Sequence, residues 1–265
     1  MNNYFVGKKI RANKAYDHAR EMEKRFKKEI SFSFNHTTIY SSIPLMDKDE
    51  IIYCGKPEIM FMETDTVSAI IDIGSNHHMN GPMVALNFAS YKNPGGMFLK
   101  GSSAQEESLC HESFLFNVLR RFEDYYKWNR GNLNKALYTN RALYTPSIYF
   151  FKNTIINGNQ ICVPCDIITC AAPNKGAAMK YNIANEYDNT IALQSRIRFV
   201  LSIASLHHVD TLILGAYGCG VFRQDPYEVA SIFKYEIEYI RPCKRIVFAI
   251  PTGHNYDAFA EVFSN

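Results

Sequence analysis

The stretch TLILGAYGCGVFRQDPYEVASIFKYEIEYIRPCKRIVFAI, residues 211–250, decides the fold class. An apolar run, TLILGA, is followed by a glycine-rich turn, a helical pattern and a second apolar run, RIVFAI. Asp225 and Pro226 predict the helix start, because Asp is a favoured N-cap and Pro is favoured at the first helical position. Strands that alternate with helices predict an open α/β sheet with helices on both faces.

The same alternation extends through the rest of the chain. Hydrophobic patterning and turn signals predict strands at residues 59–65, 83–89 and 161–173, and helices at residues 9–29, 65–74, 103–122, 188–208 and 255–263. In the helix over 188–208 the residues expected to face inward are Ile191, Ile197, Val200, Leu201 and Ala204. Residues 31–57 are expected to be looser.

Composition excludes several classes of protein. The chain has 265 residues, 47% hydrophobic and 21% charged, which is ordinary for one large soluble domain. The net charge of +3 is too small to predict nucleic-acid binding. Cationic residues are concentrated in residues 8–28, where the pattern favours a solvated helical face over a site for polyanions.

The cysteines and histidines predict no metal site. Seven cysteines, no secretory signal and no apolar run long enough to span a bilayer predict an intracellular, cytoplasmic protein with reduced thiols. Cys162 and Cys165 form one CxxC without a second pair at zinc spacing, so a buried strand is favoured. The doublets His77-His78 and His207-His208 lack partner motifs and are interpreted as structural or solvated.

Two glycine-rich loops follow predicted strand ends, where ligands of α/β sheets bind. After the first loop, Glu106 and Glu107 fall in the first turn of a helix. A capping box formed by Ser103 and Glu106 would explain one of these acids. It would not explain two adjacent carboxylates, which repel each other and point about 100° apart. Paired acids beside a loop that can approach a ligand favour glycosidic chemistry.

The second loop, residues 215–222, contains three glycines just before a helix. A backbone cradle for phosphate and an ordinary tight turn explain it equally well. Cys219 has no His or Asn near it in sequence, so a nucleophile is not expected there. Residues 169–174 end another strand and are interpreted as a strand exit.

Three ordered blocks, ALNFASYKNPGGMFLKGSSAQEESLC, IITCAAPN and LILGAYGCGVFRQDPYEVA, resemble the bacterial-type poly(ADP-ribose) glycohydrolases. The family motif is a glycine triplet followed by QEE, and the resemblance spans roughly residues 58–259. It implies a macrodomain-like mixed sheet with helices on both faces, and hydrolysis of poly(ADP-ribose) to ADP-ribose without a metal or other cofactor. We therefore divide the chain into an N-terminal helical extension, residues 1–56, and a catalytic domain that binds ADP-ribose, residues 57–265. We expect a monomer whose partners are ADP-ribose and ADP-ribosylated macromolecules, with no membrane partner.

The resemblance also implies roles for individual residues. Glu107 would be the general acid, Glu106 a ligand of the distal ribose hydroxyls, and Gln105 would orient the pair. Asn87 and Asn93 would fix the ribose or the loop, and Gly95 and Gly96 would lie against the diphosphate and distal ribose. Phe222 would pack on the distal ribose. The backbone around the diphosphate would be that of Gly218, Cys219, Gly220 and Val221. Adenine contacts are expected near Asn255 and Phe259.

One position departs from the family pattern. Met97 stands where the glycine triplet has its third glycine. Its side chain could slow catalysis or change the preferred conjugate. Two alternatives therefore stay open: a hydrolase that removes single ADP-ribose units from protein or nucleic acid, and a catalytically weak ADP-ribose reader.

Overall fold

A mixed β-sheet forms the centre of the protein in a computed structural model that describes residues 2–44, 55–75, 81–156 and 159–264. Within these residues seven strands form one sheet in the order β1-β4-β5-β3-β6-β7-β2. The strands are β1 Thr38–Tyr40, β2 Glu58–Met62, β3 Met83–Phe88, β4 Ala142–Ile156, β5 Asn159–Cys170, β6 Thr211–Leu214 and β7 Arg245–Ala249. Strands β5, β3, β6, β7 and β2 are parallel, whereas β4 pairs antiparallel with β1 and β5.

Helices cover both faces of the sheet, as predicted. They are α1 Asn2–Arg25, α2 Lys27–Asn35, α3 Thr66–Gly74, α4 Gln105–His111, α5 Leu115–Leu119, α6 Glu123–Gly131, α7 Lys175–Lys180, α8 Glu186–Leu206, α9 Pro226–Ile240 and α10 His254–Ser264. One buried cluster joins α1 to α6 with one sheet face. A second cluster joins α8, α9 and α10 with the opposite face. The mixed α/β sandwich is confirmed.

Capping residues fix several helix starts where the sequence predicts them. The Asp65 side chain accepts a hydrogen bond from the Ser68 N–H at the start of α3. Asp225 accepts one from the Glu228 N–H at the start of α9, with Pro226 in the first turn. These caps satisfy N–H groups that lack intrahelical acceptors.

The single helix predicted over residues 103–122 is wrong. It is interrupted between α4 and α5, where Ser113 forms a β-bridge with Phe150 and its hydroxyl accepts a hydrogen bond from the Leu115 N–H. Helical spacing of apolar residues continues across this break, because both short helices bury their apolar side chains on the same face of the sheet. Ile191 is also not inward-facing: it is 49% exposed near the start of α8.

The N-terminal segment is more ordered than the looser region predicted over residues 31–57. It contains α2 and the edge strand β1, which pairs with β4. Residues 45–54 lie outside the described part of the chain, so the boundary at residue 56 stays a prediction. His207 is structural, as expected: its Nε2 lies 2.9 Å from the Tyr40 hydroxyl, and its ring stacks on Tyr144. His77 and His78 lie outside the described residues.

Candidate active site

The two predicted carboxylates lie in the first turn of α4, at the carboxyl end of β3. Both side chains are buried: Glu106 is 3% exposed and Glu107 is 5% exposed. The helix begins one residue later than the predicted capping box requires, with Ala104 at the N-cap. The expected pairing of Ser103 with Glu106 is therefore wrong.

Glu107 is the residue that caps the helix. Its Oε2 accepts a hydrogen bond from the Ala104 N–H at 2.9 Å. Its Oε1 accepts a second from the Met97 N–H at 2.7 Å. One carboxylate thus joins the helix start to the glycine-rich loop, and both of its oxygens are fixed in position.

Glu106 faces the end of the central strand. Its Oε2 accepts a hydrogen bond from the Ser90 N–H at 2.6 Å, and its Oε1 lies 3.4 Å from Asn87 Nδ2. Burial raises the pKa of Glu106 to about 8; the Ser90 N–H opposes this shift, and the nearby charge of Glu107 adds to it. Burial of Glu106 therefore favours its protonated form in the free protein.

Two buried polar atoms near Glu106 have no hydrogen-bond partner among the described residues. They are Oδ1 of Asn87 and the hydroxyl of Tyr126. Burial and the charge of Glu106 both raise the pKa of Tyr126. Unpaired buried groups are rare, so this region retains hydrogen-bonding capacity that a ligand hydroxyl could use. The sequence analysis did not identify Tyr126, which lies in a segment with no motif.

The glycine-rich loop approaches both carboxylates closely. Gly95 and Gly96 have φ of +65° and +61°, where residues with side chains are strained. A Cβ at Gly96 would lie 2.5 Å from Glu107 Oε1 and 2.9 Å from Glu106 Oε2. Both oxygens therefore lie within 3 Å of one point, and hydrogen is the only side chain that fits there.

Met97 does not need to be glycine for backbone reasons. Its φ is −109°, and its side chain is 40% exposed. The backbone N–H, not the side chain, contacts Glu107. The loop therefore accommodates this departure from the family pattern without displacing the carboxylate.

Gln105 fixes the start of α4 to the strand and to the neighbouring helix. Its Oε1 accepts from the Phe88 N–H at 2.9 Å, and its Nε2 donates to the Leu86 carbonyl at 2.9 Å and to Thr66 Oγ1 at 3.2 Å. These three bonds use both ends of the amide. Gln105 thus holds the turn that carries both glutamates.

The second glycine loop forms the opposite wall of a cleft. Gly218, Gly220, Val221 and Phe222 line it. The backbone of Gly218, with φ of +80°, accepts a hydrogen bond from the N–H of Gln224 at 3.1 Å. Burial raises the pKa of the Cys219 thiol to about 12, so it is not a thiolate nucleophile.

The cleft measures about 620 Å³, within the usual range for small-molecule sites. Gln105 and Phe222 line it. Its far end lies beyond the ends of β7 and β2, further along the sheet from β3, and is formed by Asp65, Thr66, Val67 and residues 251–255. Apart from Asn255, no residue of this far end is predicted from the sequence. The turn-forming PTGHN segment after RIVFAI is the signal that could have indicated it, because it is a third loop at a strand end.

The predicted residues that line the cleft are Gln105, Gly218, Gly220, Val221, Phe222 and Asn255. Glu106, Glu107, Gly95, Gly96 and Cys219 are not among the residues that line it. Asn87 is fully buried beside Glu106, and Asn93 lies in the exposed turn before Gly95, where its carbonyl accepts from the Gly96 N–H at 3.1 Å. Phe259 is buried in the core against Phe248, so the expectation of an adenine contact there is wrong.

The described residues contain no group of three His, Cys, Asp or Glu side chains that could hold a metal ion. Among the described helices, none has the length and apolarity needed to cross a membrane. Metal-independent catalysis stays a prediction, for which treatment with a chelator is the test.

Comparison with known proteins identifies the family. Residues 8–153, more than half of the chain, match the model of the microbial-type poly(ADP-ribose) glycohydrolase (PARG) catalytic domain. The chain belongs to this family. No curated protein matches it.

Solved structures of PARGs share the fold. The PARG from Deinococcus radiodurans in complex with ADP-ribose has 30% sequence identity and a TM-score of 0.76, over 89% of this chain and 97% of that one. The PARG from Thermomonospora curvata bound to the inhibitor ADP-HPD has 25% identity and a TM-score of 0.78, over 95% and 98% of the two chains. A second structure from that organism, at 24% identity and a TM-score of 0.80, over 96% of this chain and 99% of that one, supports the fold alone.

Proposed function

We propose that this PARG-family protein hydrolyses poly(ADP-ribose) and releases ADP-ribose, with Glu106 and Glu107 as the reacting pair. The observation that carries the proposal is the position of two buried carboxyls against Gly96, beside a cleft large enough for a dinucleotide. Two carboxyl groups at a glycosidic bond are the usual means of acid-assisted hydrolysis. A protein that only bound ADP-ribose would have no need to bury both.

The cleft has room for an extended ADP-ribose. The backbone of Gly218 to Val221 would hold the diphosphate, because N–H groups of glycine-rich turns bind anions. The distal ribose would lie between Gly96 and Phe222, with its hydroxyls toward Glu106. Asn87, buried beside Glu106, would position that carboxyl. The adenosine would then occupy the far end, at residues 65–67 and 251–255.

The reaction begins with protonation of the leaving oxygen. Glu107 gives its proton to the oxygen that joins the anomeric carbon of the distal ribose to the next unit, and that carbon–oxygen bond breaks. An oxocarbenium-like ribose results, to which a water adds. The water returns a proton to the Glu107 carboxylate, so that ADP-ribose is released and the enzyme is regenerated.

Glu106 supplies the proton that the pair needs. Burial raises the pKa of Glu106 to about 8, which favours its protonated form in the free protein. A ribose hydroxyl between the two carboxyls would pass that proton to Glu107. After the attacking water has returned a proton to Glu107, the same hydroxyl passes one back to Glu106, which restores the starting state. Both carboxyls would be covered by the sugar, which excludes water from the transfer.

Release of free ADP-ribose from purified poly(ADP-ribose) tests the function. We expect Glu107→Gln to abolish turnover, by roughly 10²–10⁴-fold, while ADP-ribose binding measured by calorimetry is largely kept. Near-normal turnover in this variant would remove Glu107 from the role of acid. Tight binding of ADP-ribose by the wild type without turnover would instead identify a reader.

A second substrate class is a single ADP-ribose on protein or nucleic acid. The exposed side chain of Met97, beside the proposed distal ribose, is the observation that favours it, since this is where a polymer would leave the site. Parallel assays on poly- and mono-ADP-ribosylated substrates decide between them. Faster turnover of the mono-ADP-ribosylated substrate would support this alternative.

A further inference from the structure

The N-terminal helix α1 forms part of the wall that supports the catalytic loop. Arg11 Nε donates a hydrogen bond to the Gly101 carbonyl at 2.8 Å. A Cβ at Gly101 would lie 2.1 Å from the Lys8 carbonyl oxygen, so the two backbones touch. The same loop turn carries Met97, whose carbonyl accepts hydrogen bonds from the N–H groups of Lys100 and Ser102. The contact between α1 and Gly101 therefore lies four residues along the loop from the Met97 N–H that binds Glu107.

The charge of the protein is concentrated on this segment. Residues 2–35 contain nine cationic residues and four acidic ones, a net charge of +5. The whole chain has a net charge of +3, so the remaining residues carry a net charge of −2. The cationic residues are Lys8, Lys9, Arg11, Lys14, Arg20, Lys24, Arg25, Lys27 and Lys28.

Three of these cations form an exposed stripe along α1. Lys9, Arg20 and Lys24 are exposed, and helical geometry places them within about 60° of one another around the axis. They span about 22 Å, at 1.5 Å per residue, on the side opposite the buried Ala15 and Met22. None of the three forms an ion pair with another described residue. Their charge is therefore available to a partner.

We propose that this stripe binds the diphosphates of the poly(ADP-ribose) chain that remains attached on the leaving-group side of the scissile bond. The inference rests on the proposed function. The far end of the cleft would be taken by adenosine, so the rest of the polymer must leave past the distal ribose, at the loop that α1 contacts. A polymer with two phosphates in every unit matches a row of unpaired cations that begins at this loop.

The experiment compares two triple variants that remove the same charges. The test variant is Lys9→Gln/Arg20→Gln/Lys24→Gln. The control is Lys56→Gln/Arg241→Gln/Lys244→Gln, whose exposed residues lie near the amino-terminal ends of β2 and β7, at the other end of the sheet from the cleft. Lys244 pairs with Asp210 at 2.8 Å, so the thermal unfolding of the control is measured as well. Gln is a good helix former, so α1 should stay folded, and thermal unfolding verifies it.

We expect the test variant to raise KM for long poly(ADP-ribose) about tenfold at low salt, with kcat and ADP-ribose affinity unchanged. The dependence of log KM on log salt concentration should flatten by about 2, since each phosphate contact on a single strand contributes about 0.7. The control variant should behave like the wild type. In the Glu107→Gln background, polymer binding gives the same comparison without turnover.

Unchanged KM and salt dependence in the test variant, or an equal change in the control, would overturn the proposal. Weaker binding of single-stranded DNA by the test variant, with polymer KM unchanged, would also overturn it and identify a nucleic-acid surface. If the wild type releases no ADP-ribose, the proposed function fails. Polymer binding in the Glu107→Gln background then still tests the stripe by itself.

Discussion

Gly96→Ala is the smallest change that reaches both carboxylates. The added methyl would lie 2.5 Å from Glu107 Oε1 and 2.9 Å from Glu106 Oε2. Neither carboxyl can move freely, because Glu107 is held by the N–H groups of Met97 and Ala104, and Glu106 by that of Ser90. The backbone at residue 96 is also in the left-handed region, with φ of +61°.

These distances set the size of the effect. To reach even a 3.0 Å contact, the methyl and Glu107 Oε1 must separate by about 0.5 Å, and a misplacement of about 1 Å at a reacting group can cost 10²-fold in rate. We therefore expect kcat on poly(ADP-ribose) to fall roughly 10- to 100-fold. The left-handed backbone costs Ala about 1–2 kcal/mol, which corresponds to a decrease in Tm of about 2–8 °C for a chain of this size.

The assay pairs turnover with thermal unfolding, and Gly131→Ala is the matched control. A Cβ at Gly131, at the exposed end of α6, would have no atom within 4 Å. The control should keep both wild-type kcat and wild-type Tm. A Gly96→Ala protein with kcat within twofold of the wild type would refute the close approach of the loop to the carboxylates.

Three further predictions concern neighbouring residues. Met97→Gly should raise turnover of poly(ADP-ribose) and lower Tm slightly, since Gly adds entropy to the unfolded chain. Equal turnover of poly- and mono-ADP-ribosylated substrates by both proteins would show that the Met97 side chain does not control access to the site. Arg11→Met, which keeps the apolar stem but removes the donor to Gly101, should lower kcat several-fold with little change in ADP-ribose affinity, and an unchanged kcat would mean that α1 does not position the loop. The raised pKa of Glu106 makes the fold most stable, as far as this group is concerned, below its unfolded pKa near 4.5, and this contribution is lost as the pH rises to about 8. Tm should therefore fall between about pH 5 and 8 in the wild type and less steeply in Glu106→Gln. Parallel Tm profiles of the two proteins would contradict this.

The fold could be predicted where apolar runs and caps coincide. Strands β3, β6 and β7 are short, almost fully buried runs, and the starts of α3 and α9 carry side-chain caps, so local chemistry and tertiary packing agree there. Strand β4 received no prediction. It contains Pro146 and a register shift between Thr145 and Ile148, so it lacks the regular pattern by which a strand is recognised.

The site could be predicted in part, because strand ends and glycine loops indicate where a ligand binds. That principle located Gln105, Glu106 and the loop of Gly218. It did not locate Tyr126, whose hydroxyl comes near Glu106 only through packing of α6 against the core. Strand ends and glycine loops also do not show which glutamate caps α4. The answer changes if the helix begins one residue earlier or later, and sequence patterns do not fix a helix start that closely.

That shift changes what a mutation at Glu107 can reveal. Because Glu107 caps α4 and also binds the Met97 N–H, Glu107→Ala would leave two partly buried N–H donors without their acceptor and would loosen both the helix start and the loop. Loss of activity in the Ala variant would then combine a missing acid with a displaced loop. Gln keeps one oxygen as an acceptor but cannot donate the catalytic proton, so the two glutamine variants, Glu106→Gln and Glu107→Gln, separate chemistry from architecture. The two acids of the first turn have different partners: Glu107 binds the N–H groups of Ala104 and Met97, whereas Glu106 binds that of Ser90 and takes no part in the cap. Helix capping therefore accounts for one of the two acids, and the proposed reaction accounts for the other.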